Sequence, residues 1–416
     1  MKHIWIMNHY AGNMLSDRGG RHYSIAKYLK KAGYEPAIFC CNARHGAAET
    51  FFPDTGLWQE RVDPETGVPF VFVRGRCYAD NGTQRVGNMI DFYHNVKKAA
   101  RQYAALHGKP DILYASSVHP LTLVAGIQLA RRFGVRCICE VRDLWPESIV
   151  AYSRRFTPWN PLIRLLYRGE KWIYQKADAM LFTMEGGYDY IKERRWERWI
   201  PRSKVYVLNN GVDLEQFLAQ REQYPAQDEE LQDPATFRVV YTGSIRRVNH
   251  LDTLLDAAKR VKDPRIRFLI WGDGDERQHL EQRIAQEGIE NVKLKGKVPK
   301  QFIPSIVSQA SLNVVHNAPQ TIFRFGISFN KLFDYLAAGK PILCDFPCSY
   351  NPAVQCGAGV IVTDPTAEQI AEAIERMAGL PEEQYQTYCA AACRGAQEYD
   401  YQQLTKKLIA IIEGMG

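Results

Sequence analysis

The stretch Gly326-Ile-Ser-Phe-Asn-Lys-Leu-Phe-Asp-Tyr-Leu-Ala-Ala-Gly-Lys-Pro341, followed by the apolar run Ile342-Leu-Cys344, reads as a loop, a short helix, a glycine stop and a buried strand. Asn330 is a residue type suited to the N-cap; Leu332, Phe333 and Leu336 supply one apolar face, and Gly339 before Pro341 ends the helix. A helix start carries about half a positive charge and several unpaired N–H groups, which suits an anion such as a diphosphate. Lys331 falls in the first turn, where a cation is unfavourable unless an anion joins it. Asp334 stands one turn further on and shares its face. A phosphate-binding lysine beside a carboxylate that accepts two sugar hydroxyls is what a nucleotide needs. A capped surface helix with one Lys–Asp pair would look the same.

The same alternation of strand-like runs and helical patterns extends from end to end. In the first half the runs are Ile4–Met7, Glu35–Cys41, Phe70–Arg74, Ile112–Ala115, Arg136–Val141, Ala179–Thr183 and Val205–Leu208. The second half repeats them at Arg238–Tyr241, Arg267–Trp271, Val292–Lys295, Ser311–His316, Ile342–Asp345 and Gly359–Val362. Alternation of this kind predicts an α/β fold of two doubly wound parallel-sheet domains. Such sheets bind ligands beyond the carboxyl ends of their strands, so a cleft between facing domains is the expected site. The polar, acidic segment from 216 to 235 reads as a linker between domains 1–215 and 236–396.

At 416 residues the chain is long enough for two cores, and 46% apolar with 24% charged residues is ordinary globular composition. The opening Met1-Lys-His-Ile-Trp-Ile-Met7 reads as a buried strand rather than a signal peptide, and no apolar run reaches membrane-spanning length. A cytoplasmic location follows. The ten cysteines match no metal spacing and are expected to be reduced. The formal charge of +7 is unevenly spread. Between 152 and 176, Arg154, Arg155, Arg164, Arg168, Lys171 and Lys176 interleave with Phe156, Trp159, Leu162, Leu165 and Trp172. Between 192 and 204, Arg194-Arg-Trp-Glu-Arg-Trp199 repeats the theme. Basic residues mixed with tryptophan suit an anionic bilayer surface; no nucleic-acid signature accompanies them. The expectation is a peripheral protein on the inner face of the membrane.

Several loops after strands carry candidate chemistry. Ser116-Ser-Val-His-Pro120 places His119 at a strand end, where a histidine can bond sugar hydroxyls or act as acid or base. Glu140-Val-Arg-Asp143 ends the next strand; Asp143 could orient an acceptor hydroxyl or cap a helix begun near Pro146. Thr242-Gly-Ser-Ile-Arg-Arg-Val248 offers Arg246 and Arg247 beside Gly243, and a guanidinium suits a phosphate. Trp271-Gly-Asp-Gly-Asp275 contains D-x-D, which in some sugar transferases holds a divalent ion. Its glycines fit a strand-to-helix turn, so no metal or other cofactor is expected.

Together these segments resemble family-4 glycosyltransferases of the bacterial cell-surface polysaccharide branch, over nearly the whole chain. The resemblance rests on the 326–341 stretch, Gly12 to Gly20, Glu140 to Glu147, Asn209-Asn-Gly-Val-Asp213, Tyr241 to Ser244 and Trp271 to Gly274. It implies the GT-B architecture, with residues 397–416 packing back onto the N-terminal domain. It also implies a retaining transfer from a nucleoside-diphosphate sugar, UDP-linked, to a polyprenyl-diphosphate-linked saccharide. Catalysis would fall to His119, Asp143, Arg247 and Lys331. The donor would be held by Gly19, Gly20, Arg21, Gly243, Arg246, Gly272 and Val298, together with Ile327, Ser328, Asn330, Leu332 and Asp334. Two departures stand out. Ser244 and Asn249 occupy the places where the family usually has an Arg and a Lys, and Gly326 stands where many members have the first Glu of E-x7-E. A nucleotide-sugar epimerase, or a non-catalytic membrane-associated scaffold that binds the nucleotide sugar, would use the same fold.

Overall fold

Two parallel sheets account for the alternation. The computed structural model describes residues 1–53, 56–79, 82–117, 119–153 and 156–415; Val118, Arg154 and Arg155 lie outside the described residues. The chain divides into one unit of Met1–Asn209 with Tyr401–Gly416 and a second of Asn210–Asp400.

The first unit is built on strands β1 (His3–Met7), β2 (Glu35–Cys41), β3 (Trp58–Val62), β4 (Pro69–Val73), β5 (Ile112–Ser116), β6 (Arg136–Val141), β7 (Ala179–Phe182) and β8 (Val205–Val207). Their order is β3-β4-β2-β1-β5-β6-β7-β8. Neighbours are parallel, except that β3 pairs antiparallel with β4. Central strands such as β5 are buried along their whole length, as a sheet covered by helices on both faces requires. The antiparallel edge was not foreseen. Trp-Gln-Glu-Arg-Val is half polar and only partly buried, because an edge strand needs only one apolar face. The last helix, Tyr401–Gly414, packs on helix Arg21–Lys31: Leu404, Leu408 and Ile412 join Ile25 and Leu29 in one core. Each leucine buried there contributes about 1.5–3 kcal/mol.

The second unit holds β9 (Phe237–Thr242), β10 (Ile266–Trp271), β11 (Val292–Gly296), β12 (Leu312–Val315), β13 (Ile342–Cys344) and β14 (Gly359–Ile361), in the order β11-β10-β9-β12-β13-β14. All its pairings are parallel. Segment 216–235 belongs to this unit and is not a free tether. Asp213 and Asp228 cap a helix and a turn there; Phe217 and Leu231 are buried, and the Ala226 N–H donates to Ser305 Oγ at 2.9 Å. Asp228 and Glu230 also pair with Lys295.

In each sheet the strand order reverses once, between β1 and β5 and between β9 and β12. Loops leaving the carboxyl ends at such a point diverge to opposite sides and leave room for a ligand. All ten cysteines are free. Among the described residues no helix is long and apolar enough to cross a membrane.

Candidate functional site

In the second unit the reversal lies between the loop after β9 and the residues after β12. Helix Asn330–Ala337 is present, with Phe329 rather than Asn330 at its cap position. Asn330 is the exposed first helical residue and caps nothing. Phe329 can take the extended cap conformation because its ring packs against Phe323 and Phe346. Lys331 lies in the first turn as expected. Its Nζ is 4.0 Å from the Tyr241 ring centroid, and a Cβ placed on Gly243 would come within 2.5 Å of that nitrogen. Only a glycine after β9 lets the ammonium lie there. Burial pushes the Lys331 pKa down to about 7, partly offset by Asp345. Among the described residues no ion pair joins Lys331 to a carboxylate.

Asp334 is half-buried, and the protein packed around its carboxyl raises it to about 7; Lys300 counters this. Lys331 therefore faces the β9 loop while Asp334 lies near the segment after β11. Val298 of that segment packs on a core of Val240, Leu269 and Trp271, leaving its main chain as the part able to meet a base. Ile327 and Leu332 are buried in the core, and Ser328 Oγ accepts the Asn210 N–H at 2.8 Å. These three side chains are taken up by packing and by the Asn210 bond, which leaves the main chain of this segment as the part able to meet a donor.

The D-x-D segment has a packing explanation. A Cβ on Gly272 would lie 1.8 Å from the Gly243 carbonyl oxygen, so the loops after β9 and β10 touch through glycine. The Ile245 N–H donates to the Asp273 carbonyl, while the Asp273 and Asp275 side chains are exposed. Arg246 and Arg247 are exposed on the same loop after β9. Asp252, Glu276 and His279 are close enough to form a cation site, but Asp252 already pairs with Arg283 and His279.

Behind Lys331, β12 and β13 end in a buried dyad the sequence reading did not single out. His316 Nδ1 lies 2.5 Å from Asp345 Oδ2, and His316 Nε2 donates to the His250 carbonyl at 2.9 Å. Burial disfavours the imidazolium, yet Asp345 outweighs it and the His316 pKa is raised.

In the first unit His119 follows β5 and sits at the cap position of helix Pro120–Phe133. Its Nε2 is 2.6 Å from Nδ1 of His9, which follows β1, so the pair marks the reversal point of this sheet. Burial, aided by Arg85, lowers the His119 pKa to about 3. His119 is therefore neutral near pH 7, which suits the hydrogen-bonding role read for it better than the acid–base one. His9 Nε2 and His119 Nδ1 are both buried with no partner among the described residues.

Arg21 is corrected outright as a phosphate ligand. Its side chain is 1% exposed; Nε donates to Glu140 Oε1 at 2.7 Å, and the remaining nitrogens reach the Leu208 and Asn209 carbonyls. Burial alone would raise the Glu140 carboxyl, but Arg21 and His22 hold it well below the usual range. Gly20 caps helix Arg21–Lys31 with φ 98°, and Gly19 precedes it after a short helix, Gly12–Asp17. Asp143 is solvent-accessible, yet enough protein surrounds its carboxyl to raise its pKa.

Helix Pro161–Lys176 buries Ile163, Tyr167, Ile173 and Tyr174 and exposes Leu162 and Leu165. Trp159, 83% exposed, stands just before it. Arg164, Arg168, Lys171 and Arg194 line a groove of about 470 Å3 with Trp159 and Trp196. Lys171 and Arg198 lie on the Trp199 ring at 3.1 and 3.6 Å.

Residues 22–216 match the family model "Glycosyltransferase Family 4", and residues 236–379 match "Glycosyl transferases group 1". A curated relative, "Probable glycosyltransferase WbjE" of Pseudomonas aeruginosa, is 24% identical over 55% of this chain and 56% of its own length, so the match spans about half of that relative. Among solved structures, sucrose-phosphate synthase from Thermosynechococcus elongatus superposes with a TM-score of 0.72 at 17% identity, over 100% of this chain and 99% of that one. Anabaena HepE in complex with UDP gives 0.68 at 14% identity, over 100% of both chains. With two parallel α/β units, both family models and these GT-B neighbours, the chain belongs to the family-4 glycosyltransferases.

Proposed function

We propose that the protein is a retaining glycosyltransferase that moves a sugar from a UDP-sugar to a lipid-linked saccharide, without a metal, at the inner membrane surface. The observation that carries the donor reading is Lys331. A half-buried ammonium, laid on Gly243 in the first turn of a helix and joined, among the described residues, to no carboxylate, is poised for an anion. Arg246 and Arg247 on the adjoining loop add charge for a diphosphate. Fixed positive groups aimed at the departing diphosphate stabilise its developing charge, usually the largest catalytic contribution. Asp334 takes the ribose hydroxyls. The Anabaena HepE structures hold UDP and UDP-glucose, which supports a uridine donor.

The acceptor would be oriented by Asp143, the solvent-accessible carboxylate after β6, with the buried His9–His119 pair supporting the neighbouring strand ends. No second carboxylate stands ready as a nucleophile in this reading, so the leaving phosphate takes the acceptor proton on the same face. The groove of Arg164, Arg168, Lys171 and Arg194, flanked by exposed Trp159, Leu162 and Leu165, suits anionic headgroups and would hold the protein at the bilayer.

The test is UDP release from a panel of UDP-sugars, with and without a polyprenyl-diphosphate saccharide. Release that requires the acceptor and survives EDTA is expected. Conversion of the UDP-sugar into its epimer without acceptor would replace this reading with an epimerase, and donor binding without turnover would make the protein a scaffold.

A further inference from the structure

His316 spans three elements at the reversal point of the second sheet. It follows β12; its Nδ1 meets Asp345, which follows β13, and its Nε2 meets the main chain at His250, where the loop after β9 turns into the next helix. His250 has φ 55°, an uncommon conformation for a side-chain-bearing residue, and its ring bonds Thr253 Oγ1 at 2.8 Å. The loop between β9 and His250 carries Arg246 and Arg247. It is also tied by Tyr241 OH to the Ser244 carbonyl at 3.0 Å, by Ser244 Oγ to Asn249 Oδ1 at 3.0 Å, and at its middle by Ile245, whose N–H donates to the Asp273 carbonyl and whose carbonyl accepts the Glu276 N–H.

The proton inventory is constrained. A carbonyl oxygen only accepts, so Nε2 of His316 carries a hydrogen. Asp345 Oδ2 lies 2.5 Å from Nδ1, so a second hydrogen lies between ring and carboxyl. The other oxygen, Asp345 Oδ1, is buried with no partner among the described residues, and the dyad itself is 4% and 1% exposed. Without that second proton, the ring lone pair would face a carboxylate oxygen in a site closed to water. The charged groups facing His316 are Asp345, which favours its cationic form, and Lys331, which opposes it. The Tyr241 phenol and the Cys344 thiol lie within electrostatic reach of Asp345, and the His250 ring stands next to the carbonyl that His316 bonds.

We propose that His316, protonated on both ring nitrogens, is a positioning residue that clamps the Arg246–Arg247 loop to the ends of β12 and β13 and so fixes where those arginines meet the donor diphosphate. This rests on the donor site proposed above. The clamp is fully present below pH 6.5, the ordinary histidine value, and is lost as the pH rises through the raised value in the folded protein. Loss of one proton from a buried pair thereby becomes loss of order in an exposed cationic loop.

Three measurements on the intact protein test it. Two-bond 1H–15N spectra, with the His316 signals assigned through their absence in His316→Gln, should show hydrogens on both ring nitrogens at pH 7. Hydrogen exchange of residues 244–250, corrected for the intrinsic pH dependence of exchange, should quicken by ~10-fold in His316→Ala, while UDP binds ~5–20-fold more weakly. In Asp345→Asn a neutral ring can still donate to the His250 carbonyl and accept from the new amide. Loop protection should therefore persist and lose its pH step. A neutral His316 at pH 7, or unchanged loop exchange in folded His316→Ala, overturns the proposal. If His316→Ala does not fold, Asp345→Asn decides, and a surviving pH step overturns it. If the loop responds as described but the wild type fails to bind UDP, the donor site is wrong and the clamp stands.

Discussion

Replacing Lys331 by methionine keeps the stem of the side chain and removes its charge. Burial moves the ammonium pKa from 10.5 to about 7. At 1.36 kcal/mol per pKa unit, the charged form is disfavoured by roughly 4–5 kcal/mol in the empty site. A diphosphate landing on Gly243 would restore the charge, so binding must draw a proton from solution. At pH 8 the empty site is about nine-tenths neutral, and UDP is fully ionised, so uptake should approach ~0.9 proton per UDP. Titration calorimetry in buffers of different ionisation enthalpy reads this number directly. In Lys331→Met uptake should vanish and Kd should rise ~10–150-fold, the equivalent of a charge-assisted hydrogen bond of about 1.5–3 kcal/mol. Lys331→Arg should keep affinity within ~10-fold yet take up no proton, because guanidinium stays charged throughout. Absence of uptake in the wild type, or an unchanged Kd in Lys331→Met, would refute the placement of the diphosphate on this lysine.

Arg21→Ala strands Glu140 as an uncompensated buried charge and should cost ~3–5 kcal/mol in urea unfolding of the first unit, with UDP affinity of the folded protein unchanged. A selective loss of UDP affinity would return Arg21 to the donor site. Glu170 is buried between the Tyr174 and Tyr190 hydroxyls, and burial raises its carboxyl to about 8. Its stabilising contribution is complete below about pH 4.5 and falls away as pH rises through 8, so Glu170→Gln should match the wild-type Tm at pH 5 and exceed it at pH 9. Equal Tm at both pH values would contradict this. Arg164→Glu with Lys171→Glu should reduce binding to phosphatidylglycerol vesicles by more than ~25-fold at low salt, at about 1 kcal/mol per basic residue, and Trp159→Ala should weaken binding to neutral and anionic vesicles alike. Wild-type binding that is insensitive to salt would exclude the basic groove as the contact.

The parallel strands were legible because burial on both faces writes a continuous apolar run: Glu35–Cys41 and Arg136–Val141 begin and end as read. The edge strand at Trp58 and the helix within 216–235 were not, since each buries only isolated apolar residues among charges. Lys331 and Gly243 could be picked out from local pattern, a cation in a first helical turn and a glycine after a strand. What the side chains do was set by partners far along the chain. Arg21 is claimed by Glu140, 119 residues away, and His119 is neutral partly because it is buried against His9, 110 residues before it. Asn330 misled because its preference for caps was weighed without Phe329, whose ring holds the extended turn through packing that local sequence does not show.

The second unit enters and leaves at neighbouring points. Val212 and Asp400 form a parallel bridge, the Val212 N–H donates to the Tyr399 carbonyl at 3.1 Å, and Asp213 caps the helix that begins beside them. A module whose doorposts are already stitched together should survive being cut out. Residues 210–400 expressed alone would start and finish on the same hydrogen-bonded seam, with little loose chain to invite unravelling. The nucleotide site proposed for this unit could then be dissected, crystallised or grafted by itself.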